Sequence, residues 1–342
     1  MTFSQKNLPK SLVELEIEIP AEEVEAYRKK ALASLGKGVR VEGFRPGHVP
    51  DEIIERQVGQ QHVFEEMARL AIRETYLTIL AEQHIDAIGE PELHILKLAL
   101  GNPLVFRMQV AVVPKVELPD YKELAALAQR RTVSVQEREI EDTLEWLRQQ
   151  REKEGGTVPE LSDDFAKSVG NFQDLSALKE SVKEGLRHEK EMQETERLRQ
   201  EILENITAKA SVEVPDLLIE REKTVLMEQT KKGAAEVLHM DFEEYVKKAG
   251  KSEQELLDSF GKEAEQRVKK FLVLREIAQR EGIAATAEQI DQEANRMLRH
   301  YQTIEPARKD IDLKRLREYT EGVIKHEKTL QFLEDFAKMS PT

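Results

Sequence analysis

The segment of this chain best suited to recognition chemistry is Gly43-Phe44-Arg45-Pro46-Gly47-His48-Val49-Pro50. Two glycines and two prolines within eight residues define a loop. A phenyl ring and a guanidinium stand side by side in it. The fork of N–H donors on Arg45 suits a carboxylate or a phosphate, and Phe44 suits an apolar hole on a partner. Pro46 fixes φ near about −65° and lowers the entropy lost on docking. The alternative is an ordinary loop with Phe44 packed inward, and single exposed apolar residues are common. Charge favours a partner. From Arg28 to His48, six basic residues (Arg28, Lys29, Lys30, Lys37, Arg40 and Arg45) face Glu42 alone, in a chain of net charge −14. Such a basic spot suits a polyanion, and phosphate neutralisation is additive and salt-sensitive. His48 is either a polar loop residue or a charge that tunes binding near neutral pH.

Nothing comparable points to catalysis. Cysteine is absent, which excludes a disulfide framework and thiolate chemistry. The eight histidines never form an H-x-x-x-H pair, so no metal site is expected. There is no G-x-S-x-G, no phosphate-binding P-loop and no G-x-G-x-x-G. Glu189, Glu191, Glu194 and Glu196 alternate with Lys and Arg as a solvated helix face would. No cofactor and no catalytic residue is therefore expected. Met1 to Lys10 lacks the apolar run of a secretory signal. The nearest candidate membrane span, Ile95 to Val113, is broken by Gly101-Asn102-Pro103 and carries Lys97 and Arg107. A soluble cytoplasmic protein with no membrane partner is the expectation.

The loop needs elements to hold it. Val13, Leu15, Ile17 and Ile19 alternate with Glu14, Glu16 and Glu18, which predicts a half-exposed strand over Leu12 to Ile19. Pro20 opens a helix to about Leu35, with Glu22 and Glu23 in its first turn and Gly36 and Gly38 beyond its end. After the loop, helical sequence runs from Asp51 to about His84 with a break near Gly59. Its predicted buried side is Ile53, Ile54, Val58, Val63, Met67, Leu70, Ala71, Tyr76, Leu77 and Leu80. Pro91 to Leu100 and Leu104 to Val113 read as two strands joined by a Gly-Asn-Pro turn. This is an α+β domain with a small antiparallel sheet.

From Val116 the character changes. An extended linker over Val116 to Val133 leads into a helix of about Gln136 to Lys153, striped by Ile140, Leu144 and Leu147 with Trp146 beside them. No strand is expected beyond Pro159. Asp174 caps a long helix carrying Leu175, Leu178, Val182, Leu186, Leu198, Ile202 and Ile206. Val214-Pro215-Asp216 starts another helix. Ser252 with Glu255, and Thr286 with Gln289, have capping-box spacing. A last helix spans about Asp312 to Lys338, with Leu313, Leu316, Val323, Leu330, Leu333 and Phe336. A charged fraction of 35% fits long solvated helices better than a compact globule.

G-F-R-x-G-x-V-P, some forty residues in and between helical stretches, resembles the ribosome-docking signature of the bacterial trigger factor family. The match lies at Gly43, Phe44, Arg45, Gly47, Val49 and Pro50. The departures are Pro46 and His48, where relatives commonly place a basic residue, and they should weaken the phosphate-facing part of the contact. Pro159-Glu160-Leu161-Ser162-Asp163-Asp164-Phe165-Ala166-Lys167 and Val212-Glu213-Val214-Pro215-Asp216-Leu217-Leu218-Ile219 are similar to two further family segments. Most relatives insert an FKBP-like peptidyl-prolyl isomerase domain ahead of the first of these. Only a few residues around Gly155-Gly156 stand there in this chain.

The resemblance implies a ribosome-binding α+β domain over 1–115 and a linker with its helix over 116–158. An elongated all-α chaperone domain with helical arms would follow over 159–342. It implies an ATP-independent chaperone at the tunnel exit of the large ribosomal subunit, touching ribosomal protein and rRNA and receiving nascent and unfolded polypeptides. Docking would fall to Gly43, Phe44, Arg45, Pro46, Gly47 and His48. Relatives commonly form dimers off the ribosome, so a homodimer is a further partner expectation. Leu226, Met227, Val237, Leu238, Met240, Phe242, Phe271, Met297, Tyr301 and Phe332 are core or cradle lining. Met227, Leu238, Met240, Phe242, Met297 and Tyr301 are the client-contact candidates. The competing readings are a ribosome-independent holdase or scaffold, and an isomerase by family label alone.

Overall fold

The computed structural model describes residues 1–39, 44, 49–151, 158–301 and 312–339. It begins with two strands, β1 (Thr2–Leu8) and β2 (Leu12–Ile19), then two short helices, α1 (Ala21–Glu25) and α2 (Arg28–Leu35). Helices α3 (Asp51–Val58) and α4 (Gln60–Glu82) follow, then strands β3 (Ala87–Lys97) and β4 (Leu104–Val112). The four strands form one antiparallel sheet in the order β1-β2-β4-β3.

The alternation in β2 does what it predicts. Val13, Leu15, Ile17 and Ile19 are buried, and Leu15 and Ile17 lie opposite Met108 and Phe106 of β4. On the other face Arg107 donates to Glu16 at 2.9 Å and Gln109 to Glu14 at 2.8 Å. Val63, Met67, Ala71 and Ile79 of α4 bury against this sheet core. Fully burying a Val, Met or Ile side chain of this kind contributes about 1.5–3 kcal/mol.

Several expectations need correction. β1 was not predicted, because T-F-S-Q-K-N-L has no apolar alternation and only Phe3 packs against the core. The single helix expected from Pro20 to Leu35 is two, interrupted at Ala26 and Tyr27. Leu77 is 54% exposed rather than buried. The break at Gly59 is correct and has a cause: its φ of 93° and ψ of 143° suit glycine almost alone.

The stretch expected as an extended linker contains helix α5 (Tyr121–Ala125) and strand β5 (Gln129–Arg130). One helical turn is too short for periodicity to reveal. It is capped by Asp120, which accepts from Glu123 N at 3.0 Å, and it buries Tyr121, Leu124 and Ala125. Tyr121 donates to Glu281 at 2.5 Å, and burial with that carboxylate beside it pushes its pKa up to about 12. Helices α6 (Glu137–Gln149), α7 (Asp163–Val169) and the 35-residue α8 (Leu175–Lys209) follow. Ile140, Leu144, Phe165, Ala166 and Leu178 make a shared core. Asp174 caps α8 as expected, accepting from Ala177 N at 2.8 Å.

Helices α9 (Asp216–Glu236), α10 (Phe242–Ala249), α11 (Glu253–Ser259), α12 (Gly261–Arg280), α13 (Ala287–Tyr301) and α14 (Leu313–Glu334) complete the helical part. Both capping boxes form: Ser252 N donates to Glu255 at 2.7 Å and Thr286 N to Gln289 at 3.1 Å. A two-residue strand, β6 (Lys338–Met339), pairs in parallel with β5. It corrects the expectation of no later strand, since so short and non-local a pairing leaves no sequence signal.

The chain packs as two compact units: 1–116 with 212–269, and 117–211 with 270–342. The helical sequence from 159 onward thus contributes to both. In the first unit the β1–β2 turn grips the start of α9. Lys10 and Ser11 both have positive φ, at 60° and 53°. That conformation is strained for residues other than glycine and persists where contacts over-determine it. Here Lys10 N donates to Glu213 at 2.9 Å, Lys10 Nζ reaches Asp216 at 2.7 Å, and Ser11 Oγ donates to Glu213 O at 2.9 Å. In the second unit Arg199 joins α8 to α14, contacting Glu334 at 2.5 Å and Glu327 at 2.7 Å, while Arg130 shares Glu334 at 2.7 Å.

Candidate functional site

The described residues on either side of the signature loop belong to the first unit. A Cβ on Gly36, one residue past α2, would stand 2.7 Å from Ile54 Cδ1 of α3, so the absence of a side chain there lets the two helices approach. Val49, at the other end, is 7% exposed and belongs to the sheet core. Leu35 packs against the same core. Between these anchors Phe44 is 41% exposed, so its ring is not interred. Gly43, Arg45, Pro46, Gly47 and His48, and Arg40 of the basic patch, lie outside the described residues.

The basic cluster is less free than its sequence suggests. Arg28 pairs with Glu25 within its own helical region and with Glu55 of α3 at 2.7 Å, and those hydrogen bonds hold its pKa above the ordinary value. Lys30 pairs with Glu74 of α4 at 2.9 Å and stands 5.2 Å from the Tyr27 ring centroid. The bond to Glu74 likewise raises its pKa. Tertiary folding has brought in carboxylates that a local charge count omits. Lys29 and Lys37 are exposed and form no ion pair among the described residues.

The client-contact candidates separate. In the first unit Met227 is 4% exposed and is interior. Leu238 is 52% exposed and Val237 76%, where α9 ends. Met240 and Phe242 are half-buried; Phe242 stacks with Tyr245 at 6.3 Å, and Lys231 stands 5.1 Å from its ring centroid. His239, in the left-handed region at φ 48°, turns the chain there. In the second unit Met297 is half-buried, and the side chain of Tyr301 lies outside the described set. That unit exposes Phe271 (56%), Tyr319 (64%) and Val323 (37%). Tyr319 was missed because the helical stripe through Leu313, Leu316 and Val323 resembles a buried face. Leu313 of that stripe is in fact 61% exposed. The exposed aliphatic and aromatic side chains on both units could hold apolar segments weakly.

Among the described residues no group of three or more His, Asp or Glu is placed to hold a metal, and no helix is long and apolar enough to cross a membrane.

Comparison with known proteins matches two stretches of the chain. Residues 1–147 match the family model described as bacterial trigger factor protein, and residues 174–335 match the one for its C-terminus. Residues 148–173, between the two, are far fewer than the roughly 100 of a typical small domain. The chain is 26% identical to the trigger factor of Carboxydothermus hydrogenoformans, over 99% of this chain and 100% of that protein. That alignment runs over 429 positions against 342 residues here, so the relative carries sequence with no counterpart in this chain. It is 25% identical to the trigger factor of Moorella thermoacetica, over 100% and 96%. A solved structure, described as concerning promiscuous substrate recognition in folding and assembly activities of the trigger factor chaperone, superposes with a TM-score of 0.56. It is 20% identical and covers 98% of this chain and 99% of that one.

Proposed function

Because this chain belongs to the bacterial trigger factor family, we propose that it is an ATP-independent chaperone that docks on the large ribosomal subunit and shields nascent and unfolded polypeptides. The observation that carries the docking half is Phe44. It is 41% exposed, while Val49, five residues on, is buried in the sheet core. A buried Val49 anchors the chain there and would reduce the entropy lost on binding. Arg45, next to it in sequence, would supply a fork of donors for carboxylate or phosphate. Lys29 and Lys37 add charge that Arg28 and Lys30, already paired, supply less freely.

The client half rests on apolar side chains that stand exposed on helical surfaces, Val237 and Leu238 in one unit and Phe271 and Tyr319 in the other. Contacts of this kind are individually weak and tolerant of sequence. Release needs no nucleotide: a client that buries its own apolar surface competes the contacts away. With a ribosome as partner, the cytoplasm is its place of work. A homodimer off the ribosome belongs to the same proposal.

Replacing Phe44 and Arg45 together by Ala is expected to abolish co-sedimentation with ribosomes while leaving the fold intact. Undiminished co-sedimentation would remove the docking assignment. One observation favours a second reading, the ribosome-independent holdase. Two of the six clustered cations are engaged in internal ion pairs, and Pro46 and His48 replace expected basic residues. A holdase would suppress client aggregation equally well with the loop mutated, and would not bind ribosomes at physiological salt.

A further inference from the structure

We draw no further inference here: the strongest candidate, the surface patch on the edge strand β3 where Leu93, Ile95 and Leu96 stand exposed, carries nothing because nothing in the structure shows what covers it.

Discussion

Replacing Gly89 by Ala is expected to destabilise the first unit by two separable amounts. Gly89 lies in β3 with φ 77°, a region that costs an ordinary residue about 1–2 kcal/mol. A Cβ there would also stand 2.7 Å from Leu217 Cδ2 and 3.1 Å from Arg221 Nη2, both on α9. Both are far ends of flexible side chains, so the overlap should cost about 1 kcal/mol, the low end for overpacking. The sum is about 2–3 kcal/mol. Gly101 provides the control, since its φ is 71° and nothing stands within 4 Å of its would-be Cβ. Gly101→Ala should therefore show the dihedral cost alone, about 1–2 kcal/mol. In the Leu217→Ala background the closer overlap disappears and only the Arg221 contact at 3.1 Å is left, so Gly89→Ala should cost up to about 1 kcal/mol less there. Urea unfolding of the four variants and the wild type, at fixed pH and salt, yields each difference. If Gly89→Ala equals Gly101→Ala, or costs as much with Leu217→Ala as without it, then β3 and α9 are not in the close register described.

Other outcomes follow from single groups. His326 is held below its ordinary value of 6.5 mainly by burial, with Arg199 adding to the effect and Glu327 opposing it. The unfolded chain therefore binds a proton near pH 6.5 that the folded chain refuses, so this group's contribution to stability falls as pH drops from about 6.5 toward the folded value. His326→Gln should flatten the stability profile in that window, as read by urea midpoints. Glu194 shows the opposite sign. Hydrogen bonds from Arg197 and Arg131 N hold it below its ordinary value of 4.5, so its stabilisation is present above that value and is lost as pH falls through the folded one. Arg199→Met removes the cation bridging α8 and α14 and leaves Glu327 unpaired, while Glu334 keeps Arg130. A loss of about 2 kcal/mol is expected in urea unfolding. A protease-free proline-isomerisation assay should show no substantial catalysis; clear turnover would favour the isomerase reading.

What could be read from the sequence followed from how strongly each segment constrains itself. The alternation in β2, the Gly59 break, the Asp174 cap and the Ser252 and Thr286 boxes are local devices, and each appears where its residues stand. β1 was invisible because it carries no apolar period, and β5 and β6 because their two-residue pairing is non-local. The exposure of Leu77 and Leu313 was equally hidden, since a helical stripe does not say whether a neighbour covers it. At the candidate site, glycine, proline and aromatic content singled out Phe44, and its side chain is exposed. The carboxylates of Glu55 and Glu74, which neutralise part of the basic cluster, come from helices that only folding brings near.

The central claim is docking through an exposed ring and a cationic loop on a nucleic-acid-rich partner. Sedimentation with vacant and translating ribosomes across a salt series tests it most directly. The account predicts binding at physiological salt, steeper loss on adding salt than for the Lys37→Ala variant, and stronger retention on translating ribosomes. Binding that is absent at physiological salt, or present but indifferent to both salt and Lys37, would contradict it.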